Sequence, residues 1–535
     1  MKQLFSAALL LPLLLCGGQA HALELTILHT NDTHAALGGS TADGRPCYAA
    51  QCRGGSGGAV RLKQAVDDQR AQKKNVLLLD AGDQSQGTLF YRQHKSLPSA
   101  QVLNMLDYTA AIPGNHEFDD GTAGFAAYAR ALRLPLLAAN MHFTEKKPAL
   151  PACRPWIIVQ RDGRDIGIIG LMTPETLTSA RPGPEVRVDD PLDALLHAVQ
   201  ELRDRKVDII IAVTHLGITE DRRLAKAVSG VDIFVGGHSH TFLSNTSAKA
   251  EGPYPVVEKA PDGAPVLIVT ARNGGRLLGA LDVTFDEGGR AVRWSGDALA
   301  LDGKTTAAPD PQLSALLEQY ATPLRALMNE PAGVLNAALP QGQTLLDPDI
   351  SACRVRQCAT ASLMADALLW AGRTAGAQAA LIGGGSARAS LHTGAVSTGD
   401  ILGVMPFENL LMTGEVDGNT VLAMLEHGLS AVEKGAGRFP QVAGMRVTAD
   451  LTKPVGQRVT RVEMADTHGT YAPLRPEGRY TLALMDYTVD GGDGYTMLRG
   501  IRWGNSGRGI SQIIQQYLRA HAPLQAPQDV RITLH

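Results

Sequence analysis

Gly114-Asn115-His116-Glu117-Phe118-Asp119 follows the short apolar run Ala110–Ile112. An apolar, strand-like run that ends in Gly and then delivers Asn, His and Asp sets polar side chains at the end of a strand. Four other segments repeat the arrangement. Asp32-Thr33-His34 follows Leu25–Leu28, and Gly82-Asp83 follows Val76–Leu79. Thr214-His215 follows Ile209–Val213, and Gly236-Gly237-His238-Ser239-His240 follows Ile233–Val235. In open α/β folds such strand ends converge on one edge of the sheet, where ligands bind. The five fragments therefore predict one site, carried by a layered α/β fold.

Carboxylate, imidazole and amide donors without thiolate suit borderline and hard divalent metals, with Zn, Mn or Co expected and Fe or Ni compatible. The first metal is expected on Asp32, His34, Asp83 and His240, and the second on Asp83, Asn115, His215 and His238. Asp83 bridges, because one carboxylate offers an oxygen to each ion. Two metals about 3.5–4 Å apart activate a shared water and clamp the oxygens of an in-line displacement, the chemistry of phosphoester hydrolysis. His116 and Asp119 are three apart and share a face if a helical turn begins there. A His held by a carboxylate has a fixed tautomer and a stabilised imidazolium, so it can steady the phosphoryl group or donate to a leaving oxygen. Ten of the fifteen His fall outside this set. His29 is one, because alternation along its strand turns it from the ligand side.

A chain of 535 residues is too long for one ordinary domain. Its 44% apolar share supports ordinary cores, and Lys+Arg 50 against Asp+Glu 53 leaves a net charge of −3. That balance excludes a nucleic-acid polymer as partner, so cations that meet an anionic substrate must be local. Lys2, the apolar run Leu4–Cys16 and the small-x-small site Ala20-His21-Ala22 read as an export signal over residues 1–22. No later segment reaches the roughly 20 apolar residues of a membrane span. A periplasmic or secreted protein is expected, without stable membrane insertion and as a monomer. Export permits disulfides, and the spacings of Cys47 with Cys52 and of Cys353 with Cys358 allow two local bridges. Zinc binding by these pairs is the weaker alternative, and Cys153 is left over.

Between residues 23 and about 300, apolar runs alternate with helical stretches at Ala59–Gln72, Leu97–Leu106, Thr122–Leu132, Pro191–Arg205 and Glu220–Val228. Ser244–Pro265 reads as a loop or hairpin closing over the site. Pro311–Met328 is the clearest helix: Leu313, Leu316, Leu317, Tyr320, Leu324 and Leu327 form one apolar stripe. Lying between the two halves, it reads as a linker. A second α/β unit follows, with a helix at Ala359–Trp370, a tight Gly383-Gly384-Gly385 loop, and strands at Gln378–Ile382, Met445–Ala449, Val459–Met464 and Tyr480–Met485.

The ordered set D-x-H, G-D, G-N-H-E-F-D, T-H and G-G-H-S-H resembles the calcineurin-like metallophosphoesterases, and most closely the secreted 5′-nucleotidases. The resemblance spans nearly the whole mature chain. It implies a metallophosphoesterase β-sandwich flanked by helices over residues 23–305, a linker helix over 306–331 and a nucleotide-binding α/β domain over 332–535. Arg354, Arg356 and Arg388 can meet a phosphate in a bidentate manner. Cys353-Arg354-Val355-Arg356-Gln357-Cys358 is similar to the family's Arg-rich segment. Gly383-Gly384-Gly385-Ser386-Ala387-Arg388 is similar to its Gly-Gly-Gly-x-Arg loop, but carries one extra residue, and Ile382 stands where the family commonly has Asn. Phe407 and Tyr487 lie in segments similar to those whose rings sandwich the nucleobase, and stacking tolerates any base. Asp493 would accept from ribose hydroxyls.

These readings imply a metal-dependent phosphohydrolase acting on a small nucleotide, most simply a nucleoside 5′-monophosphate. On the same scaffold the alternatives are a 2′,3′-cyclic phosphodiesterase with 3′-nucleotidase activity, a nucleotide-sugar or NAD pyrophosphatase, or a thiosulfate-ester hydrolase, the last disfavoured by the aromatic pair. A non-catalytic nucleotide-capture protein would be expected to have lost ligands or the His116–Asp119 dyad, and it has lost neither.

Overall fold

The computed structural model describes residues 22–41, 46–144, 153–180, 182–304, 307–407, 409–466 and 469–535, without the side chains of residues 178 and 179. Residues 1–21, which hold nearly all of the expected export signal, and the expected boundary at residues 305–306 lie outside the described residues.

The first half is two sheets packed face to face. Leu23–Thr30, Val76–Asp80 and Ala110–Ala111 run parallel, with Leu277–Phe285 and Ala291–Ala300 added antiparallel on one edge. The second sheet centres on the parallel strands Arg164–Met172, Ile209–His215 and Ile233–Gly236. Leu25, Ile27, Leu77 and Leu79 meet Ile166, Ile211, Val213 and Val235 in the core between the sheets. Helices cover both outer faces: Ala59–Gln72 and Leu97–Leu106 on the first sheet, Pro191–Asp204 and Ile218–Ala227 on the second. Strands buried on both faces read as continuous apolar runs, which is why these were visible as such.

Ser244–Pro265 leads into a hairpin, one of the two expected forms. Its hairpin pairs Val256–Lys259 with Pro265–Val269 at a sheet edge. Asn245 N and Thr246 Oγ1 donate to Asp297 on the outer strand, at 3.2 and 2.7 Å. The segment therefore docks beside the sandwich.

Pro311–Met328 begins at Asp310, whose carboxylate accepts from Gln312 N and Leu313 N, both at 2.9 Å. Its buried stripe of Leu313, Leu317, Ala321 and Leu324 joins the core beneath the first sheet. The second half centres on a sheet that includes Ala379–Gly383, Arg479–Met485, Leu410–Asp417 and Pro440–Ala443. Ala359–Gly372 and Ile510–Ala520 pack on one face. Gly418–Gly428 and a four-stranded sheet pack on the other. Arg92 Nη1 donates to Ser511 Oγ at 2.8 Å across the two halves.

Candidate active site

The three parallel strands of the first sheet end at Asp32 and His34, Asp83, and Asn115 and His116. Two strands of the second end at His215, and at His238 and His240. Both sheets therefore deliver ligands to one edge. The turns are cramped: Asp32, His34, Asp83, His238 and His240 all have positive φ, from 48° to 74°. Non-glycine residues rarely adopt this region, and such strain clusters at functional sites. Asp32 N bonds Gly82 O and His34 N bonds Asp83 O, so the first two loops are laced together.

His34 Nε2 lies 3.1 Å from His240 Nε2 and 4.0 Å from Asp83 Oδ2. His240 Nε2 is 3.4 Å from Asp32 Oδ1. On the other side His215 Nε2 is 3.2 Å from Asp83 Oδ2 and 4.0 Å from Asp32 Oδ1. Asp83 thus touches both groups. His34 Nδ1 and His215 Nδ1 face the carbonyls of Ser85 and Ala81, at 3.2 and 2.7 Å. A carbonyl only accepts, so each Nδ1 carries the proton and each Nε2 turns a lone pair inward, as a metal ligand requires. Lone pairs and carboxylates so close need a cation between them. A proton is one answer: burial opposes charge on His215, but Asp83 and Asp32 hold its pKa up at about 10. A metal is the other. The buried Asn115 Oδ1 and His215 Nε2 have no hydrogen-bond partner, which fits two ions better than one proton.

His116 lies on the single helical turn Asn115–Phe118. Its Nδ1 donates to Asp119 Oδ2 at 2.7 Å. Burial disfavours the imidazolium, but Asp119 and Asp83 outweigh it and raise the pKa to about 9. The ring stands edge-on to His34, centroids 5.3 Å apart, and groups with His34 and Asp83.

In the second half, Asp493 sits in a left-handed turn with φ 51° and wraps Tyr487. Its N donates to Tyr487 Oη at 3.0 Å, and its Oδ1 accepts from that hydroxyl at 3.2 Å. Asn409 Nδ2 and Tyr487 N both donate to Asp486 Oδ1, tying the Phe407 segment to Tyr487. No ring contact joins Phe407 and Tyr487 among the described residues. Arg388 lies over the Phe407 ring at 5.7 Å. Burial and the nearby Arg354 cation lower the Arg388 pKa to about 10. The Asp493 carboxylate opposes this, favouring the charged guanidinium. Burial, then Asp493, pushes the Tyr487 phenol well up, and Asp119 of the first half adds to it. The Gly492–Gly494 turn that holds Asp493 packs against the Thr176–Ser179 turn of the first half.

Residues 25–242 match the family model for calcineurin-like phosphoesterases, and residues 333–500 match that for the 5′-nucleotidase C-terminal domain. A 5′-nucleotidase of Diplobatis ommata is 32% identical over 535 residues, covering 95% of this chain and 89% of that one. The chain belongs to the 5′-nucleotidase family. The human 5′-nucleotidase is 31% identical over 507 residues, 90% of this chain and 85% of the relative. The crystal structure of a 5′-nucleotidase precursor from Thermus thermophilus superposes with a TM-score of 0.84 at 36% identity, covering 96% of this chain and 99% of that one. Membership makes the protein a metal-dependent phosphoric ester hydrolase with the two-domain fold of the family.

Among the expected site residues of this 5′-nucleotidase family member, Asp32, His34, Asp83, His215 and His240 are brought together. The His238 ring lies 5.0 Å from that of His215 and its backbone N bonds Asp32, while its Nε2 meets Glu175 Oε2 at 3.2 Å, so Nδ1 is its ring nitrogen for a metal. Arg354 points inward, Nη1 reaching Gly435 O at 3.4 Å, whereas Arg356 is exposed on the outside of the same loop. Both bridges form, Cys47–Cys52 and Cys353–Cys358, and Cys153 is free. A cleft of about 1020 Å³ between the halves is bounded by Arg276, Arg325 and Arg388 but by none of the expected metal ligands.

Sequence reasoning passed over the residues behind the ligands. Glu117 accepts four backbone N–H groups, from Asp83, Gln84, Ser85 and Gly114, at 2.6–3.0 Å. Its spacing, three after Gly114, is that of a capping box and was a legible signal. Asn31 Nδ2 holds both Asp32 Oδ2 and Arg272 O. Gln86 Nε2 donates to Asp119 Oδ2 at 2.9 Å, and nothing in a linear reading marks it.

Proposed function

We propose that this protein is an exported 5′-nucleotidase that hydrolyses nucleoside 5′-monophosphates to nucleoside and phosphate with two divalent metals, Zn, Mn or Co. The observation that carries the reading is the Asp32, His34, Asp83, His215 and His240 cluster at one sheet edge of the first half, joined in one chain to a second half that matches the 5′-nucleotidase C-terminal domain. Asp32, His34, Asp83 and His240 would hold one ion, and Asp83, Asn115, His215 and His238 the other, His238 through Nδ1 while its Nε2 meets Glu175. Such a pair supplies an activated water and neutralises phosphate charge. The protein's own groups do the rest. Phe407 and Tyr487 stack the base, Asp493 accepts from the ribose hydroxyls, and Arg354 and Arg388 bind the phosphate. His116, kept protonated by Asp119, donates toward the leaving ribose oxygen. Two disulfides, and the lack of any described helix long and apolar enough to cross a membrane, accord with export. The expected monomer is part of the same reading.

The test is phosphate release by chelator-stripped protein re-metallated with Mn, Co or Zn, on AMP, 3′-AMP, cyclic 2′,3′-AMP, NAD and UDP-glucose. Metal-dependent preference for AMP supports the proposal. Preference for a cyclic ester or a pyrophosphate moves the substrate class and points to the altered loop from Ile382 to Arg388. Nucleotide binding without turnover on any metal would leave a capture protein.

A further inference from the structure

Gln441 lies in the strand Pro440–Ala443, opposite Ile382 in the antiparallel pairing with Ala379–Gly383. It is fully buried. A buried amide must place two N–H groups and a carbonyl. Gln441 gives all of them to one loop. Its Nε2 donates to Cys353 O and to Arg356 O, both at 2.8 Å, and its Oε1 accepts from Cys358 N at 3.2 Å. Those three groups belong to the ring that the Cys353–Cys358 disulfide closes, and Arg354 stands in that ring.

The backbone just before Gln441 holds the other arginine segment. Gly384 N donates to Phe439 O and Gly385 N to Gly437 O, each at 2.8 Å. A Cβ on Gly384 would overlap Cys353 O, so the glycine loop passes directly against the disulfide ring. One strand and its approach therefore carry both arginine segments, Arg354 through the Gln441 side chain and Arg388 through main-chain pairing. Two guanidinium groups near each other repel, and a loop free to shift would let them separate.

We propose that Gln441 is a positioning residue for substrate binding: with the Cys353–Cys358 disulfide it holds Arg354 in register with Arg388, so that the two guanidinium groups meet an anionic group as a pre-ordered pair. Displacement of a binding group by about 1 Å is enough to forfeit most of its contribution. The inference rests on the reading of Arg354 and Arg388 as the phosphate site. It does not involve the metal ligands.

The test compares the wild type with Gln441→Met, which keeps the volume and removes all three hydrogen bonds, and with the paired Cys353→Ser/Cys358→Ser variant. Steady-state hydrolysis of AMP is measured with hydrogen exchange across residues 350–358. Each variant is expected to raise KM about tenfold while kcat stays within about threefold, and to speed exchange in that loop. The triple variant is expected to be no worse than the cysteine pair, because both devices act on one ring. Gln441→Glu, which sets a carboxylate oxygen against the Cys353 and Arg356 carbonyls, should loosen the loop at least as much as Gln441→Met. A loop that exchanges as in the wild type, or a loosened loop with unchanged KM, overturns the proposal. So does a defect confined to kcat. If the wild type itself neither binds nor hydrolyses AMP, the 5′-mononucleotide reading fails, and the exchange data with the Ki of inorganic phosphate for whatever ester is turned over still judge the bracing of Arg354.

Discussion

Asp83 and His116 show how single side chains acquire their chemistry here. Burial alone would push a carboxylate up, but His215, His116 and His34 hold Asp83 well below the usual range. His116 in turn is charged because Asp119 and Asp83 face it. Replacing His116 by Ala is expected to lower kcat by about 10²–10⁴-fold, with nucleotide affinity retained, in steady-state and direct-binding measurements. Glu117 touches no substrate, yet Glu117→Gln turns one acceptor oxygen into a donor against two N–H groups. We expect a loss of about 2 kcal/mol in denaturant unfolding. His29 is fully buried, its Nε2 bonded to Tyr254 Oη at 2.8 Å, and burial lowers its pKa to about 3. The unfolded chain takes up this proton near pH 6.5 and the folded chain does not. The stability that neutral His29 contributes is therefore full above about pH 6.5 and is lost as pH falls from there toward 3. Between about pH 7.5 and 5.5 the loss should be about 1 kcal/mol, and a His29→Gln variant should show a shallower slope.

Elements with one strong determinant were legible in the sequence. Pro311–Met328 has an Asp cap, Pro at its first turn and a stripe at three- and four-residue steps, and its bounds agree with the structure. Ala59–Gln72 agrees likewise. Leu317 is fully buried beneath the first sheet, so Leu317→Ala should cost about 2–5 kcal/mol by thermal or denaturant unfolding. An unfolding loss near zero would mean that this helix is a tether and not part of that core. The partners of the Ser244–Pro265 segment were not legible because a polar loop carries no periodicity. Its destination was set by Asp297, far along the chain on the outer strand. His238 illustrates the same limit: its position was readable, but its ring orientation depends on Glu175, from a different loop.

For the whole molecule, the halves meet so that Tyr487 feels Asp119 and Arg92 reaches Ser511. The expected metal ligands lie at the edge of both sheets of the first half, where cations would hold Asp32, Asp83 and their His neighbours together. Chelation is expected to abolish turnover and to lower the melting temperature by roughly 5–10 °C, restored by adding back Mn, Co or Zn. Calorimetry with and without chelator checks this. An unchanged melting temperature would argue that no ion bridges the two sheets.

The sequence by itself determined the α/β layering, the five ligand-bearing strand ends, the dyad and both disulfides, because each depends on spacing within a few residues. Only the tertiary structure decided that Arg354 faces inward while Arg356 faces out, that Glu117, Gln86 and Gln441 brace the site, and that the hairpin docks on the outer strand. Those outcomes depend on hydrogen bonds between segments far apart in sequence, and such partners are chosen by packing, which leaves no periodic trace along the chain.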